Sequence, residues 1–168
     1  MSRYSRFFSS LLTITVAFSL IACSTQKKSE DNLSPAQIMA KLRAEPGVKT
    51  LPSGLSYKVL SSGPKDGEQP HKGDIIMVVY EGRLPDGSIF DSSTQHGDND
   101  YIQMPLDGLI KGWMEALPMM HVGDTWMLYV PAKLGYGHKT MGIIPPDSPL
   151  IFRIKLLGIE HATSQLSP

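Results

Sequence analysis

Residues 79–93 read Val-Tyr-Glu-Gly-Arg-Leu-Pro-Asp-Gly-Ser-Ile-Phe-Asp-Ser-Ser and are the strongest indication of the fold in the sequence. Pro85-Asp86-Gly87 at its centre is a turn signature, because proline presets one backbone angle and glycine accepts a left-handed conformation. The flanking segments, Tyr80–Leu84 and Ser88–Phe90, contain aromatic and branched side chains that favour strands. The stretch therefore predicts two antiparallel strands joined by a tight turn.

Strand patterns continue on both sides of this stretch. Leu55, Tyr57 and Val59 alternate with polar residues, as expected for a strand with one buried face. Further runs of large, branched or alternating apolar side chains cover Ile75–Tyr80, Thr125–Val130 and Leu150–Ile159. We therefore expect roughly four to six antiparallel strands in one sheet.

Two short helices accompany the strands. Leu109–Leu117 has a helical pattern, and Pro118 limits its length because proline cannot donate the next helical hydrogen bond. Near the amino end, Ser34 is a helix cap and Pro35 a first helical residue, and the helical pattern continues to Ala44. The predicted fold class is α+β, an antiparallel twisted sheet wrapped over one short helix.

The composition excludes several classes of function. Lys and Arg together number 16, as do Asp and Glu, so the chain has no basic excess with which to bind nucleic acid. A single cysteine can form neither an internal disulfide nor a thiolate zinc cluster. No two of the five histidines lie three or four residues apart, and no Gly-x-Ser-x-Gly motif is present. We therefore expect no metal site, no cofactor and no covalent catalysis.

The amino-terminal segment is typical of an export signal. Arg3 and Arg6 precede Leu11–Ala22, an uncharged run of 12 residues. Such a run reaches about 18 Å as a helix, well short of the roughly 30 Å of a bilayer core. The sequence Leu20-Ile21-Ala22-Cys23 resembles the end of a bacterial lipoprotein signal, which predicts cleavage before Cys23 and acylation of its thiol. A plain signal peptide with a chance or buried cysteine is the alternative.

These features divide the chain into four parts. We expect a signal peptide at 1–22, a polar tether and short helix at 23–47, a folded domain at 48–161 and a flexible tail at 162–168. Acyl chains on Cys23 would hold the protein at a membrane without a membrane-spanning helix. By analogy with other lipoproteins, Ser24 rather than Asp after this cysteine favours the outer membrane of a bacterial cell envelope.

Large apolar side chains are frequent in the predicted loops as well as in the strands. The loop members are Tyr101, Met104, Leu109, Ile110, Tyr136, Ile143 and Ile144. Loop residues of this size usually line a binding site. Because the sequence offers no nucleophile, we expect an apolar cleft that contains one acid and several phenols.

Four segments, in chain order, resemble the signatures of FKBP-type peptidyl-prolyl cis-trans isomerases. The first is 79–93, which carries the Tyr-x-Gly, Asp-Gly and Phe-Asp-Ser-Ser elements at the family's spacing. The others are Leu109–Trp113, Leu134–Pro146 and Leu150–Phe152, and the upstream Gly47–Tyr57 is similar to the domain entry of Mip-like bacterial members. The resemblance implies an FKBP-like fold and an enzyme that accelerates rotation about X-Pro bonds in exported proteins.

The resemblance also implies roles for individual residues. It gives catalytic positions to Asp91, Tyr136 and Ile110, and substrate contacts to Tyr80, Phe90, Leu109, Trp113, Ile144 and Phe152. Trp113 would form the floor of a prolyl pocket. The Ile110 N–H and the Tyr136 hydroxyl would bind substrate carbonyls, and Asp91 would face the twisting amide. No histidine receives a role.

Other interpretations of these residues stay open at this point. Trp113 and Ile110 could be ordinary core residues, and Asp91 could serve only as a turn residue. Tyr136 could be a core tyrosine with a satisfied hydroxyl. The same cleft could also belong to a lipid-anchored chaperone or adhesion module with little turnover.

The partners implied by the resemblance are proline-containing polypeptides, and it admits macrolide inhibitors as ligands of the same pocket. Ile102 and Met104 depart from the family pattern, because many members carry an aromatic pair there. The long dimerisation region of Mip-like relatives has no counterpart in this sequence. We therefore expect a monomer.

Overall fold

The computed structural model describes residues 33–97 and 99–161; the predicted signal peptide, Cys23, most of the tether and the tail at 162–168 lie outside the described residues. In chain order, its helices and strands are α1 (Pro35–Arg43), β1 (Lys49–Thr50), β2 (Ser56–Ser61), β3 (Ile75–Arg83), β4 (Ile89–Ser92), β5 (Ile102–Pro105), α2 (Lys111–Ala116), β6 (Thr125–Val130) and β7 (Leu150–Glu160). Short 3-10 helices cover Ser93–Gln95, Leu117–Met119 and Ala132–Leu134.

The helix α1 has the predicted start. Ser34 caps it, because the Ser34 hydroxyl accepts a hydrogen bond from Gln37 N at 3.3 Å while Ser34 N donates to Gln37 Oε1 at 2.8 Å. Pro35 is the first helical residue, and the helix ends at Arg43, one residue before the predicted end. Neither this helix nor any other in the described part of the chain is long and apolar enough to cross a membrane.

Seven strands form one antiparallel sheet in the order β1-β2-β6-β7-β3-β4, and β5 also pairs with β3. The strand β7 lies between β6 and β3 and pairs with both. Residues Ile75–Val78 of β3 pair with β5, and Glu81–Arg83 of the same strand pair with β4. The predicted α+β class is confirmed. The sheet has more strands than expected, because the two residues of β1 pair with β2.

One face of the sheet carries the hydrophobic core and packs on α2. The predicted alternation of β7 is confirmed: its buried residues are Leu150, Phe152, Ile154 and Leu156, and its exposed residues include Arg153 and Lys155. Buried residues of β3 and β6 join the same cluster, together with Trp113 and Ala116 of α2. The strands therefore present a continuous apolar surface to one short helix.

The helix α2 starts later than predicted. Ile110 is its cap and has an extended backbone, with ψ of 146°, so the helix begins at Lys111 rather than at Leu109. It ends at Ala116, and a 3-10 turn that contains Pro118 follows. Leu109 therefore lies in the loop before the helix.

A glycine sets the distance between α2 and the sheet. Gly112 is buried, and a Cβ atom at this position would lie 2.7 Å from Val130 Cγ1 on β6. Real side chains do not approach this closely, so a larger residue would push the helix away from the strand. The close packing of the helix on the sheet depends on this glycine.

The predicted alternation of β2 fails at its second half. Leu55 and Tyr57 are buried, but Val59 is 40% exposed and Ser56 is fully buried. The Ser56 hydroxyl lies 3.0 Å from Thr50 Oγ1, so β1 covers this side of the strand. A register shift between Val59 and Ser61 then changes the faces of the later residues.

The same four-residue turn occurs twice, as His71-Lys72-Gly73-Asp74 before β3 and as His121-Val122-Gly123-Asp124 before β6; we call these the HxGD turns. In both, the aspartate carboxylate accepts a hydrogen bond from the histidine backbone N–H, at 2.8 Å and 3.0 Å. The aspartate N–H donates back to the histidine carbonyl, at 3.1 Å and 2.9 Å. The third residue has a φ of 94° or 96°, which favours glycine. Each turn is followed directly by a strand of the sheet, β3 in the first case and β6 in the second.

Asp124 is the buried acceptor of the second HxGD turn and supplies the first prediction. Its Oδ1 accepts from Gly63 N at 2.7 Å, and its Oδ2 accepts from His121 N at 3.0 Å and from Trp126 Nε1 at 3.1 Å. Asp124→Ala leaves these donors without an acceptor, and we expect it to lower the free energy of unfolding by about 3 kcal/mol. Urea denaturation measures the loss.

The matched control is Asp86→Ala. Asp86 is exposed, and its carboxylate accepts from Ser88 N at 2.8 Å in a surface turn. We expect this change to cost less than about 1 kcal/mol. Equal losses for the two variants would contradict the role given to the buried carboxylate.

Candidate active site

An open cleft lies where α2 and its preceding loop meet the sheet. The space inside it is about 430 Å³ and is open to solvent. The residues that line it are Tyr80, Phe90, Asp91, Met104, Leu109, Ile110, Trp113, Tyr136 and Phe152. Eight of the nine site residues predicted from the sequence are therefore brought together in one place.

Strands and loops share the lining. Among the strands, β3 contributes Tyr80 and β4 contributes Phe90 and Asp91. Met104 comes from β5, and Phe152 comes from β7. The loop before α2 contributes Leu109 and Ile110, and the helix contributes Trp113. Tyr136 comes from the loop after β6. Because these elements are distant in the chain, the cleft exists only once the sheet has closed over the helix.

Gly82 allows two aromatic rings to form one wall of the cleft. It lies opposite Phe152 in the pairing of β3 with β7. A Cβ at Gly82 would lie 2.6 Å from Phe90 Cζ and 2.9 Å from Phe152 Cε1. The two rings instead pack edge to face, with centroids 5.5 Å apart. The shape of this wall therefore requires glycine at position 82.

Trp113 belongs both to the cleft and to the core. Its ring packs edge to face on Tyr80, with centroids 5.1 Å apart, and on Phe152, with centroids 5.3 Å apart. The side chain is 5% exposed, and its indole Nε1 has no hydrogen-bond partner within the described residues. The cleft and the core interpretations of this residue are therefore compatible with each other.

The carboxylate of Asp91 is fixed by two neighbours. Its Oδ2 accepts a hydrogen bond from the Tyr80 hydroxyl at 2.7 Å, and its Oδ1 lies 2.7 Å from His96 Nε2. Both oxygens are thus engaged, and Asp91 is the acidic residue of the lining. Among residues 33–97 and 99–161, Asp91 belongs to no group of three metal-ligating side chains.

His96 is a functional candidate that the sequence patterns missed. It follows Asp91 by five residues, and the 3-10 helix Ser93–Gln95 turns the chain so that the imidazole reaches back to the carboxylate. The ring also stacks near Tyr80, with centroids 6.4 Å apart. A search for histidine near carboxylate, in place of histidine near histidine, would have found this pair.

The two phenols of the cleft stay protonated at neutral pH. Burial, followed by the hydrogen bond to Asp91 and its negative charge, raises the pKa of Tyr80 well above its ordinary value. Burial and the same carboxylate raise the pKa of Tyr136. The Tyr136 hydroxyl can therefore donate a hydrogen bond to a carbonyl oxygen of a ligand, whereas the Tyr80 hydroxyl already donates to Asp91.

The backbone of Ile110 lies at the edge of the cleft. Its carbonyl accepts hydrogen bonds from Trp113 N at 3.0 Å and Met114 N at 3.1 Å, as a cap residue does. Its own N–H has no acceptor in the described ranges 33–97 and 99–161. This N–H is available to a ligand, which fits the role that the family resemblance implies.

Ile144 and Met104 differ from the predicted arrangement. Ile144 is 4% exposed and belongs to the core cluster, and the lining of the cleft does not include it. Ile144 forms a β-bridge with Met141, in which Ile144 N donates a hydrogen bond to the Met141 carbonyl at 2.8 Å. Met104, which the sequence places among the large loop residues expected to line a site, does line the cleft but belongs to strand β5.

Comparison with known proteins agrees with this geometry. The FKBP-type peptidyl-prolyl cis-trans isomerase family model matches residues 66–157. Peptidyl-prolyl cis-trans isomerase Mip of Coxiella burnetii is 45% identical over 117 residues, which are 69% of this chain and 49% of that protein. Outer membrane protein MIP of Legionella longbeachae is 39% identical over 138 residues, 81% of this chain and 58% of that protein. This chain thus spans about half the length of the first of these relatives.

Solved structures show the same fold. A peptidyl-prolyl cis-trans isomerase from Pseudomonas syringae superposes with a TM-score of 0.68 at 38% identity, covering 76% of this chain and 91% of that one. FkpA from Escherichia coli gives a TM-score of 0.69 at 37% identity, covering 75% of this chain and 57% of that one. The matched family model, the shared fold and the assembled cleft lead to one conclusion. This chain belongs to the FKBP-type peptidyl-prolyl cis-trans isomerase family.

Proposed function

We propose that this chain catalyses cis-trans isomerisation of X-Pro peptide bonds in exported polypeptides. The observation that carries the proposal is the open cleft over Trp113, lined mainly by apolar side chains, in which the Asp91 carboxylate is held 2.7 Å from the Tyr80 hydroxyl. Family membership supports the same reaction, because the similar proteins from Coxiella burnetii and Pseudomonas syringae are called peptidyl-prolyl cis-trans isomerases.

The physics of the reaction suits a dry cleft. Amide resonance gives a rotation barrier of about 18–20 kcal/mol and places negative charge on the carbonyl oxygen. Water stabilises this planar, polar form, so removing water favours the twisted and less polar amide. Shortening an exchange time of about 100 s to about 10 ms requires roughly 5.5 kcal/mol of differential stabilisation. Shape, desolvation and a few hydrogen bonds can supply this amount without a cofactor.

The lining residues divide the work by their chemistry. In this proposal, the Trp113 ring supports the proline ring, and Phe90 and Phe152 enclose it. The Tyr136 hydroxyl and the Ile110 N–H donate to substrate carbonyl oxygens. Asp91 faces the twisting bond, and its fixed negative charge favours the form in which the carbonyl oxygen carries less negative charge.

A direct assay separates this proposal from a binding module that uses the same cleft. A protease-coupled assay on an X-Pro tetrapeptide measures turnover, and we expect a rate above the uncatalysed exchange that increases in proportion to protein concentration. Macrolide inhibitors, which the family resemblance admits, would compete for the cleft. Peptide binding without any acceleration would favour the chaperone or adhesion alternative.

We also propose that the protein is lipid-anchored in a bacterial cell envelope. In this proposal, residues 1–22 are removed, Cys23 is acylated, and a tether with α1, over 23–47, connects the anchor to a monomeric isomerase domain at 48–161. The lipoprotein-like end of the signal supports the anchor. The Legionella longbeachae relative, which is named an outer membrane protein, supports an envelope location and the preference for the outer membrane.

Tyr136→Phe removes one hydroxyl from the cleft. The loss of one hydrogen bond, about 0.5–1.5 kcal/mol, should lower kcat/KM about two- to twelve-fold. The free energy of unfolding should change by no more than about 1 kcal/mol. The matched control is Tyr101→Phe, because Tyr101 is exposed and outside the lining, and it should keep full activity. Full activity of Tyr136→Phe would contradict the role given to its hydroxyl.

His96→Ala tests whether the imidazole positions Asp91. Because both side chains are partly exposed, we expect a modest loss in kcat/KM, about two- to five-fold. Asp91→Ala should lower activity further, and adding His96→Ala to it should change nothing more, because the histidine acts through the carboxylate. The kinetic double-mutant cycle measures this coupling. Independent, additive losses would show that His96 does not act through Asp91.

Cys23→Ser tests the anchor. Acylation requires the thiol, so we expect the substituted protein to be released from washed membranes or to remain unprocessed. Fractionation and intact mass of the wild-type and variant proteins make the comparison. Normal processing together with complete retention in the membrane fraction would rule out the lipoprotein assignment.

A further inference from the structure

A cluster of metal-ligating side chains lies outside the cleft. Among residues 33–97 and 99–161, it consists of His71, Asp74 and His161, whose ligand atoms all lie within 4.8 Å of one another. Asp74 directly precedes β3, and His161 directly follows β7, where Ile75 pairs with Glu160. Tyr80 of the cleft follows Asp74 by six residues along β3, about 20 Å away. The cluster is therefore separate from the candidate active site.

Two imidazole rings converge on one carboxylate oxygen. His161 Nδ1 lies 3.0 Å and His71 Nδ1 lies 3.7 Å from Asp74 Oδ2. A second carboxylate is close, because Glu68 Oε2 lies 3.7 Å from His161 Nε2. The Asp74 side chain is only 7% exposed, whereas the His71 side chain is 82% exposed. The carboxylate is thus fixed by the fold, and the His71 ring is free to rotate toward a ligand.

The second HxGD turn is a comparison for the first, because it also places a histidine beside an aspartate. There, His121 Nδ1 lies 3.8 Å from Asp124 Oδ2, nearly the same distance as in the first turn. The Asp124 carboxylate also accepts hydrogen bonds from Trp126 Nε1 and Gly63 N. The turn therefore accounts for one histidine beside the aspartate. It does not account for His161, which comes from a position 87 residues further along the chain than Asp74.

We propose that His71, Asp74 and His161 bind a divalent transition-metal ion of the zinc class. Zinc takes imidazole nitrogen and carboxylate oxygen at about 2.0–2.2 Å, and its tetrahedral shell has four positions. A water molecule completes the shell. Imidazole ligands favour zinc, nickel or copper, whereas Ca²⁺ and Mg²⁺ prefer oxygen ligands alone. The ligand set thus selects against the abundant hard cations.

The bound ion would have a structural role. It would tie the end of β7 to the turn that starts β3, which are neighbours in the sheet but lie far apart in sequence. An ion that binds only the folded protein raises its melting temperature by mass action. Because none of the three ligand residues lines the cleft, the ion should leave isomerase turnover unchanged, and the proposal does not depend on that turnover.

The test uses the full-length protein, purified without a histidine tag and treated with a chelator. Isothermal titration with Zn²⁺ at pH 7.5 should give one ion per chain, and thermal unfolding should shift upward with Zn²⁺ but not with Mg²⁺. His71→Ala and His161→Ala should each weaken Zn²⁺ binding at least tenfold and remove the thermal shift. Because His71 is exposed and His161 follows the last strand, both variants should keep the metal-free melting temperature.

The matched control is His121→Ala, which changes the equivalent residue of the second HxGD turn. It should bind Zn²⁺ with unchanged affinity. No binding by the wild-type protein at 100-fold molar excess of Zn²⁺ would show that the cluster is only a carboxylate with two histidine partners. Binding that survives both His71→Ala and His161→Ala would place the ion elsewhere, and either result would overturn the proposal.

Discussion

The close approach of α2 to the sheet is the constraint on which the rest of the structure depends. Gly112 permits it, because any side chain there would collide with Val130 of β6. At this distance the Trp113 ring reaches both Tyr80 and Phe152 and joins the helix to two strands. The same ring is the floor of the cleft. Stability and the binding site therefore share one contact, and neither can change without the other.

Local patterns predicted the parts of the fold that depend on local chemistry. The alternation of β7, the turn at Pro85-Asp86-Gly87 and the cap at Ser34 all follow from the backbone preferences and solvent exposure of neighbouring residues. The site residues came mainly from the family resemblance, which supplied positions that spacing alone could not. Asp91 and Tyr136 are an example, since no sequence period relates them, yet both line one cleft.

The remaining features depend on contacts between distant segments. Val59 is exposed at a register shift between β2 and β6, and Ile144 is buried where its loop folds on itself through a bridge. His96 contacts Asp91 because a 3-10 turn reverses the chain between them. His161 reaches Asp74 only through the pairing of β7 with β3. Each of these requires the folded chain, and none leaves a repeating signal in the sequence.

The central position of β7 has a consequence for how the chain folds. Within the described residues, β6 and β3 do not pair with each other, so β1, β2 and β6 form one group of strands and β3, β4 and β5 another. Both groups expose unpaired strand edges until Leu150–Glu160 inserts between them. The last strand to be synthesised is thus the one that closes the sheet. Assembly of the hydrophobic core requires β7, the last of the described strands in chain order, and before it pairs, the two groups are open to edge-to-edge association.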